Sequence, residues 1–227
     1  MIDYALVLLS GGLDSAYALT VAASQAKRVL TLTVLYGQAS EQRELAAAKK
    51  LSGRYGATHE SIALPFLGGM KGHPFFDVGV RMPEPTALDD AKMTKASADA
   101  VWVPNRNGVF LNVAAAIAEA RGASAVYVGF NCEEAATFPD NSVAFLDATN
   151  AALAFSTRER VRIEAPAATL NKMAIVAELA AVGFDFSLLW SCYRGGETMC
   201  GLCESCRRLK RALGSVPQIN QQELFHS

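Results

Sequence analysis

No run of apolar residues in this 227-residue chain approaches the roughly 20 needed to cross a bilayer. Even the Ala-rich stretches are broken by Glu, Lys or Arg. That argues against a membrane-spanning helix. A leader pattern is also missing: Asp3 stands where a basic segment belongs, and "IDYALVLLSGG" is too short an apolar stretch. Excess charge of either sign is absent. The 21 Lys and Arg face 22 Asp and Glu, and the net charge of -1 gives no electrostatic case for nucleic acid or anionic membrane. Histidine is scarce, and His59, His73 and His226 are too scattered to form a site. There is no internal repeat and no low-complexity tract. These absences together describe a cytoplasmic protein with no membrane partner and no direct nucleic-acid partner.

The chain does have material for a core, with 51% hydrophobic and 19% charged residues. "YALVLL" (Tyr4 to Leu9) is continuously apolar, as a strand covered on both faces is. A helix "SAYALTVAAS", a strand Arg28 to Gly37, a helix ending near Gly56 and a strand His59 to Leu64 follow. The rhythm breaks from Leu64 to Ala100, which holds four of the eight prolines and reads as an active-site flap or a variable surface loop. It resumes with a helix Val109 to Gly122, a strand Ser124 to Phe130, the helix "VAFLDATNAALAF", the strand "RVRIEAP" and a helix ending at Gly183. Strand-helix alternation predicts an α/β fold with a parallel sheet flanked by helices. The apolar "VAAAIAEA" within Val109 to Gly122 suits either a core face or a homodimer.

Directly after the first strand stands Ser10-Gly11-Gly12-Leu13-Asp14-Ser15. Glycines admit a ligand close to the backbone, and the amides of a turn and helix start face an anion. Ser10 and Ser15 offer hydroxyls. Asp14 is out of place beside phosphate unless it holds Mg²⁺ or, like Ser15, caps the helix. No lysine follows, so this is not the G-x-x-x-x-G-K-[ST] loop, and the G-x-G-x-x-G spacing is absent as well.

Cysteine is unevenly used. Cys132 is alone, and its surroundings suggest a small buried hydrophobe. Cys192, Cys200, Cys203 and Cys206 form C-x7-C-x2-C-x2-C, with Gly195, Gly196 and Gly201 for turns. Disulfides in so short a stretch would be strained, so a metal is the better reading. Four thiolates make a closed, structural zinc site, and a four-iron cluster is the rival. Residues 1–186 therefore read as a nucleotide domain with a flap at about 65–100, and 187–227 as a zinc-binding segment and tail.

S-G-G-x-D-S after strand one resembles the pyrophosphate loop of the N-type ATP pyrophosphatases, which implies an adenine-nucleotide-α-hydrolase-like fold. With "WSCYRGGETMCGLCESCRRLKRA" the likeness narrows to the 7-cyano-7-deazaguanine synthase family. "LYGQ" (Leu35 to Gln38), Glu44-Leu45, "VPNRN" (Val103 to Asn107), "FPD" (Phe138 to Asp140) and Asn171-Lys172 extend it from about Leu6 to Leu209. The resemblance implies ATP, Mg²⁺ and Zn²⁺ as cofactors, with 7-carboxy-7-deazaguanine and ammonia as substrates. The acid would be adenylated, converted to an amide and then to the nitrile.

The nucleotide would sit on Leu8, Leu9, Ser10, Gly11, Gly12, Leu13, Asp14 and Ser15. Lys172 and Arg106 would join Asp14 in catalysis by compensating phosphate charge. Arg106, Asn107, Glu133 and Asp140 would grip the ring. Plainer readings exist: a solvated Lys172, a structurally paired Arg106, and turn or capping roles for Glu133 and Asp140. Trp102 and Trp190 read as core. Departures from the family pattern fall at Ala39-Ser40 and within "NCEEAATFPDNS", where Glu134, Ala136, Thr137 and Asn141-Ser142 stand for other residues. They leave open a relative that stops at the amide or uses another amine. A non-catalytic nucleotide or zinc module is a further alternative.

Overall fold

A computed structural model describes every residue except Val78, Gln222, Glu223, His226 and Ser227. Five strands form one wholly parallel sheet: β1 (Ile2–Leu8), β2 (Ala26–Leu35), β3 (Thr58–Ala63), β4 (Ala125–Tyr127) and β5 (Arg162–Glu164). Their order is β3-β2-β1-β4-β5. Among the described residues the helices are α1 (Leu13–Gln25), α2 (Glu41–Arg54), α3 (Ala91–Ala100), α4 (Arg106–Arg121), α5 (Cys132–Ala135), α6 (Val143–Ser156), α7 (Lys172–Ala181) and α8 (Glu204–Leu213). This is the expected α/β architecture, a parallel sheet flanked by helices.

The continuous apolarity of β1 has a direct cause. Ala5 and Val7 point into a core shared with α1, α2, α7 and α8, while Leu6 points into a second core under α4 and α6. Successive strand side chains face opposite ways, so a strand between two helical layers must be apolar throughout. Each fully buried leucine there contributes about 1.5–3 kcal/mol. Leu209, Ala212 and Leu213 of α8 belong to the first core, so the cysteine segment packs into the same body as the sheet. In α4, Leu111, Ala114, Ala115 and Ala118 are buried against the sheet. The apolar side of "VAAAIAEA" is thereby spent on the core.

The stretch 64–100 is more structured than its prolines suggested. Asp90 caps α3, its Oδ1 accepting the N–H groups of Lys92 and Met93 at 2.9 Å. The preceding residues tie down elsewhere. Phe75 and Met82 are buried, and Phe75 O accepts Ala39 N–H at 2.6 Å. Glu84 pairs with Arg194 at 2.6 Å and Asp89 with Arg211 at 2.8 Å. The flap is thus fastened to the cysteine segment. β4 is shorter than expected because the chain leaves the sheet after Val128, whose N–H still donates to Glu164 O at 2.9 Å, and Gly129 then meets the first turn of α1.

Candidate active site

Chain order reverses between β1 and β4: β2 and β3 lie beyond one edge of β1, β4 and β5 beyond the other. Beyond the carboxyl ends of strands at such a reversal the connections diverge and leave a crevice. A cavity of about 260 Å³ opens there. Leu8, Leu9, Ser10, Gly12, Leu13, Asp14 and Ser15 border it, and Gly11 does not. Gly11 serves packing: it has φ of 85°, and a Cβ there would lie 2.6 Å from Ala47 Cβ of α2. On the other side a Cβ at Gly129 would lie 2.5 Å from the backbone of Asp14 and Ser15. The loop is held between α2 and the exit of β4. Its carbonyls are used within the protein, Gly11 O by Trp190 N–H at 2.9 Å and Leu9 O by the Thr33 hydroxyl at 2.7 Å.

The expected capping by Asp14 or Ser15 does not occur. Gly12 is the N-cap of α1 and no side chain accepts from its first turn. Those N–H groups are left to a ligand. Ser15 instead donates to Gly12 O at 3.0 Å and shares a hydrogen bond with Ser10 Oγ at 3.2 Å. Asp14 turns to Lys172.

Lys172 is the first residue of α7, whose cap is Asn171: its Oδ1 accepts Ala174 N–H at 2.8 Å. Asparagine does here what a capping serine would. The lysine is only 6% exposed, which excludes a solvated role. Its Nζ donates to Asp14 Oδ2 at 2.5 Å and to Glu134 Oε1 at 2.8 Å. A cation at a helix N-terminus is disfavoured by about 0.3–1 kcal/mol. Breaking a buried ion pair costs about 3–5 kcal/mol, so the carboxylates decide. Burial works against the ammonium, yet the two carboxylates hold its pKa above the usual lysine value. Burial, ahead of the opposing Lys172 charge, pushes the Asp14 carboxyl up to about 6. The buried Asp14 Oδ1 has no protein hydrogen-bond partner, so one carboxylate oxygen is free for a cation.

Asn105, in the left-handed region at φ of 53°, turns the chain sharply into α4. Asparagine tolerates this conformation better than most residues. The turn puts Arg106 and Asn107 at the cavity wall. Arg106 lies over the Phe75 ring at 5.6 Å and donates to the Tyr36 hydroxyl at 3.4 Å. Asn107 donates to Asp140 O at 3.4 Å.

The connection from β4 to α6 separates neighbours. Glu134 borders the cavity and Glu133 does not. Glu133 Oε1 accepts Lys172 N–H at 2.9 Å, and its Oε2 accepts from Arg208 at 3.2 Å and Arg211 at 3.1 Å. The Asp140 side chain also lies outside the cavity wall, and its Oδ1 is buried without a partner. Asn141 and Phe138 border the cavity instead. Cys132 is exposed rather than buried, because it begins the outward-facing α5. Trp102 is not core: it is 36% exposed and stacks on Phe138 at 6.2 Å. Trp190 is only partly buried and borders the cavity.

Sequence reasoning assigned no role to Tyr36, Ser40, Glu44 or Tyr193, all of which border the cavity. Glu44 accepts from Ser40 Oγ at 2.5 Å and Gln38 Nε2 at 3.0 Å, and burial pushes its carboxyl up. The available signal was the quartet Leu35 to Gln38 with Glu44, noted for likeness and not for chemistry.

The sulfur atoms of Cys192, Cys200, Cys203 and Cys206 lie within 4.8 Å of one another. Backbone amides of Arg194 and Cys200 donate to Cys192 Sγ, and those of Leu202 and Cys203 to Cys200 Sγ, at 3.3–3.4 Å. Four convergent sulfurs with amide support fit one tetrahedral metal ion. None of the four cysteines borders the cavity, while Ser191, Tyr193 and Ser205 beside them do.

No helix among the described residues is long and apolar enough to cross a membrane. The family described as queuosine biosynthesis protein QueC matches residues 4–216. A 7-cyano-7-deazaguanine synthase of Desulforudis audaxviator is 48% identical over 93% of this chain and 96% of its own. Its counterpart in Carboxydothermus hydrogenoformans is 44% identical over 93% and 99%. That of Pelotomaculum thermopropionicum is 46% identical over 91% and 95%. With a match across nearly all of its length, the chain belongs to the QueC family of queuosine biosynthesis proteins.

Proposed function

We propose that this chain is an ATP-dependent C–N ligase of the cytoplasm that converts 7-carboxy-7-deazaguanine and ammonia into 7-cyano-7-deazaguanine. A carboxylate oxygen of the acid attacks the α-phosphorus of ATP and pyrophosphate leaves. Ammonia attacks the acyl carbon, AMP leaves and an amide forms. The amide oxygen attacks a second ATP, pyrophosphate leaves, and loss of AMP yields the nitrile. Both oxygens of the acid depart on AMP, and the three hydrogens of ammonia leave as protons.

The observation that carries this reading is the buried Lys172 ammonium beside the uncapped start of α1. Amides of the α1 turn with the Ser10 and Ser15 hydroxyls suit pyrophosphate, and Lys172 and Arg106 suit the charge that develops on the phosphates. Leu8, Leu9 and Leu13 supply apolar wall. Asp14 Oδ1 is the group that would hold Mg²⁺, which supplies further charge neutralisation on the phosphate oxygens. Arg106 and Asn107, with Asn141 and Phe138, are placed for the ring, Asp140 stands behind Asn107, and Glu133 is assigned otherwise below. The four cysteines suit Zn²⁺ as a structural ion in a reducing compartment.

Purified protein supplied with ATP, Mg²⁺, ammonium and the acid, followed by mass spectrometry, tests the proposal. The nitrile with two AMP per product is expected, and none with Asp14→Ala. Accumulation of the amide alone, or no consumption of the acid, refutes the assignment.

A further inference from the structure

Glu133 carries one carboxylate that three elements share. Its Oε2 accepts from Arg208 and Arg211 of α8. Arg208 is held in turn by Glu204 at 2.9 Å, one helical turn earlier. α8 starts immediately after Cys203 and contains Cys206, so both arginines ride on the helix that closes the cysteine cluster. The Oε1 of Glu133 accepts the N–H of Lys172, the first residue of α7. The next residue, Glu134, takes the charge of the same lysine. A single peptide unit of α5 thus fixes Lys172 by backbone and by ammonium. The network has little access to water, with side-chain exposures of 16% for Glu133 and 10% for Arg208.

We propose that Glu133 is a positioning residue through which the four-cysteine segment sets the nucleotide end of the cavity. Metal held by the cysteines fixes α8, its two arginines fix Glu133, and Glu133 fixes Lys172 against Asp14. The cysteine segment then acts on ATP binding without touching the cavity with its sulfurs. The inference rests on the reading of Lys172 as a phosphate-facing cation. It moves Glu133 away from the ring of the acid, where its sequence position had placed it.

The test uses the full metal-loaded chain and a non-cleavable probe, α,β-methylene-ATP with Mg²⁺, in the absence of the acid. Glu133→Ala removes both contacts. Glu133→Gln keeps an acceptor for Lys172 N–H and loses the charge that holds the arginines. Arg211→Met interrupts the same path at its more exposed end and keeps the variant set usable if Glu133→Ala does not fold. Arg208 retains Glu204 throughout. Each variant is expected to keep one metal per chain by atomic emission. Nucleotide affinity should fall about tenfold for Glu133→Ala and about threefold for the other two, the size of an ordinary coupling between sites. Hydrogen exchange at the Lys172 amide should quicken. Stripping the metal with a chelator should weaken nucleotide binding in wild type and add little in Glu133→Ala.

Unchanged nucleotide affinity with a raised KM for the acid alone makes Glu133 a ring-binding residue and overturns the proposal. Unchanged affinity with lost metal confines Glu133 to the cysteine segment and overturns it too. A wild-type chain that binds the nucleotide but never consumes the acid contradicts the proposed reaction, while the affinities still decide the role of Glu133.

Discussion

Two loops meet at the reversal of the sheet and are built on opposite plans. The turn Ser10 to Ser15 acts through its backbone: free amides at α1, a glycine fitted against α2, carbonyls already used by Trp190 and Thr33. The connection Asn131 to Ser142 acts through side chains that reach other elements: Glu134 to α7, Glu133 to α8, and Asn141 to the cavity. A backbone-built site leaves a sequence signature, since only glycine and small hydroxyl residues allow it. A side-chain-built site leaves only residue types, and their direction is set by tertiary packing.

The largest expected effect lies where the two loops join. Lys172→Met leaves Asp14 and Glu134 facing each other without a cation. kcat/KM for ATP should fall by about 10²–10³-fold, the size of losing one positioned charge donor. Steady-state kinetics with pyrophosphate release as readout checks it. A fall below tenfold would mean that the loop from β1 works alone. Gly11→Ala strikes the backbone plan directly, through a strained φ and a contact with Ala47. The folded state should lose about 1–3 kcal/mol, the range for overpacking, as a chemical-denaturation curve would show.

A third measurement uses pH. Asp14 has an ordinary value of 3.8 and is pushed up to about 6 in the folded chain. The folded state therefore binds this proton more tightly than the unfolded state. Its stabilising contribution is fully present below 3.8 and is lost as pH rises through about 6. Turnover runs the other way, because the ionised form pairs with Lys172. kcat/KM for ATP, which reports the free enzyme, should fall tenfold per unit below about 6. Thermal melts of wild type and Asp14→Asn should converge as pH falls from about 6 to 3.8, since protonation removes the charge difference between them.

The side-chain plan predicts milder and more selective losses. Asn141→Ala should raise KM for the acid about tenfold, one hydrogen bond to a bound ring, and leave KM for ATP unchanged. An equal rise in both would erase the distinction between the loops. Ser142→Ala removes the cap of α6, where the hydroxyl accepts Phe145 N–H at 3.2 Å. It should cost about 1 kcal/mol, a Tm decrease of about 2–4 °C by calorimetry, with kinetics unaltered.

The same division explains what could be read from the sequence. Most of the sheet and its flanking helices follow from apolar runs and periodicity, because β1 buries both faces and α4 buries one. α3 and α8 were hidden, α3 among prolines and α8 behind the cysteines. The cysteine spacing and the S-G-G-x-D-S turn are local patterns, so their residues converge as read. Glu133 and Glu134 are the same residue type side by side, and nothing local decides which one faces the cavity. Tyr36 reaches the wall from the carboxyl end of β2, and Glu44 only because α2 packs against the sheet. Cys132 and Trp102 read as interior by residue type, yet Cys132 opens the outward-facing α5 and Trp102 lies in the connection between α3 and α4.

Gly129 sets a limit on change. Any side chain there would strike the first turn of α1, since the two backbones already touch where a Cβ would go. The floor of the proposed phosphate site therefore has no adjustable part: it can be kept or lost, but not retuned by degrees. Selectivity for a new acid has to be gained a few residues farther on, where Phe138 and Asn141 border the cavity and can vary without moving that floor. A library confined to those two positions would search substrate choice while leaving nucleotide use intact.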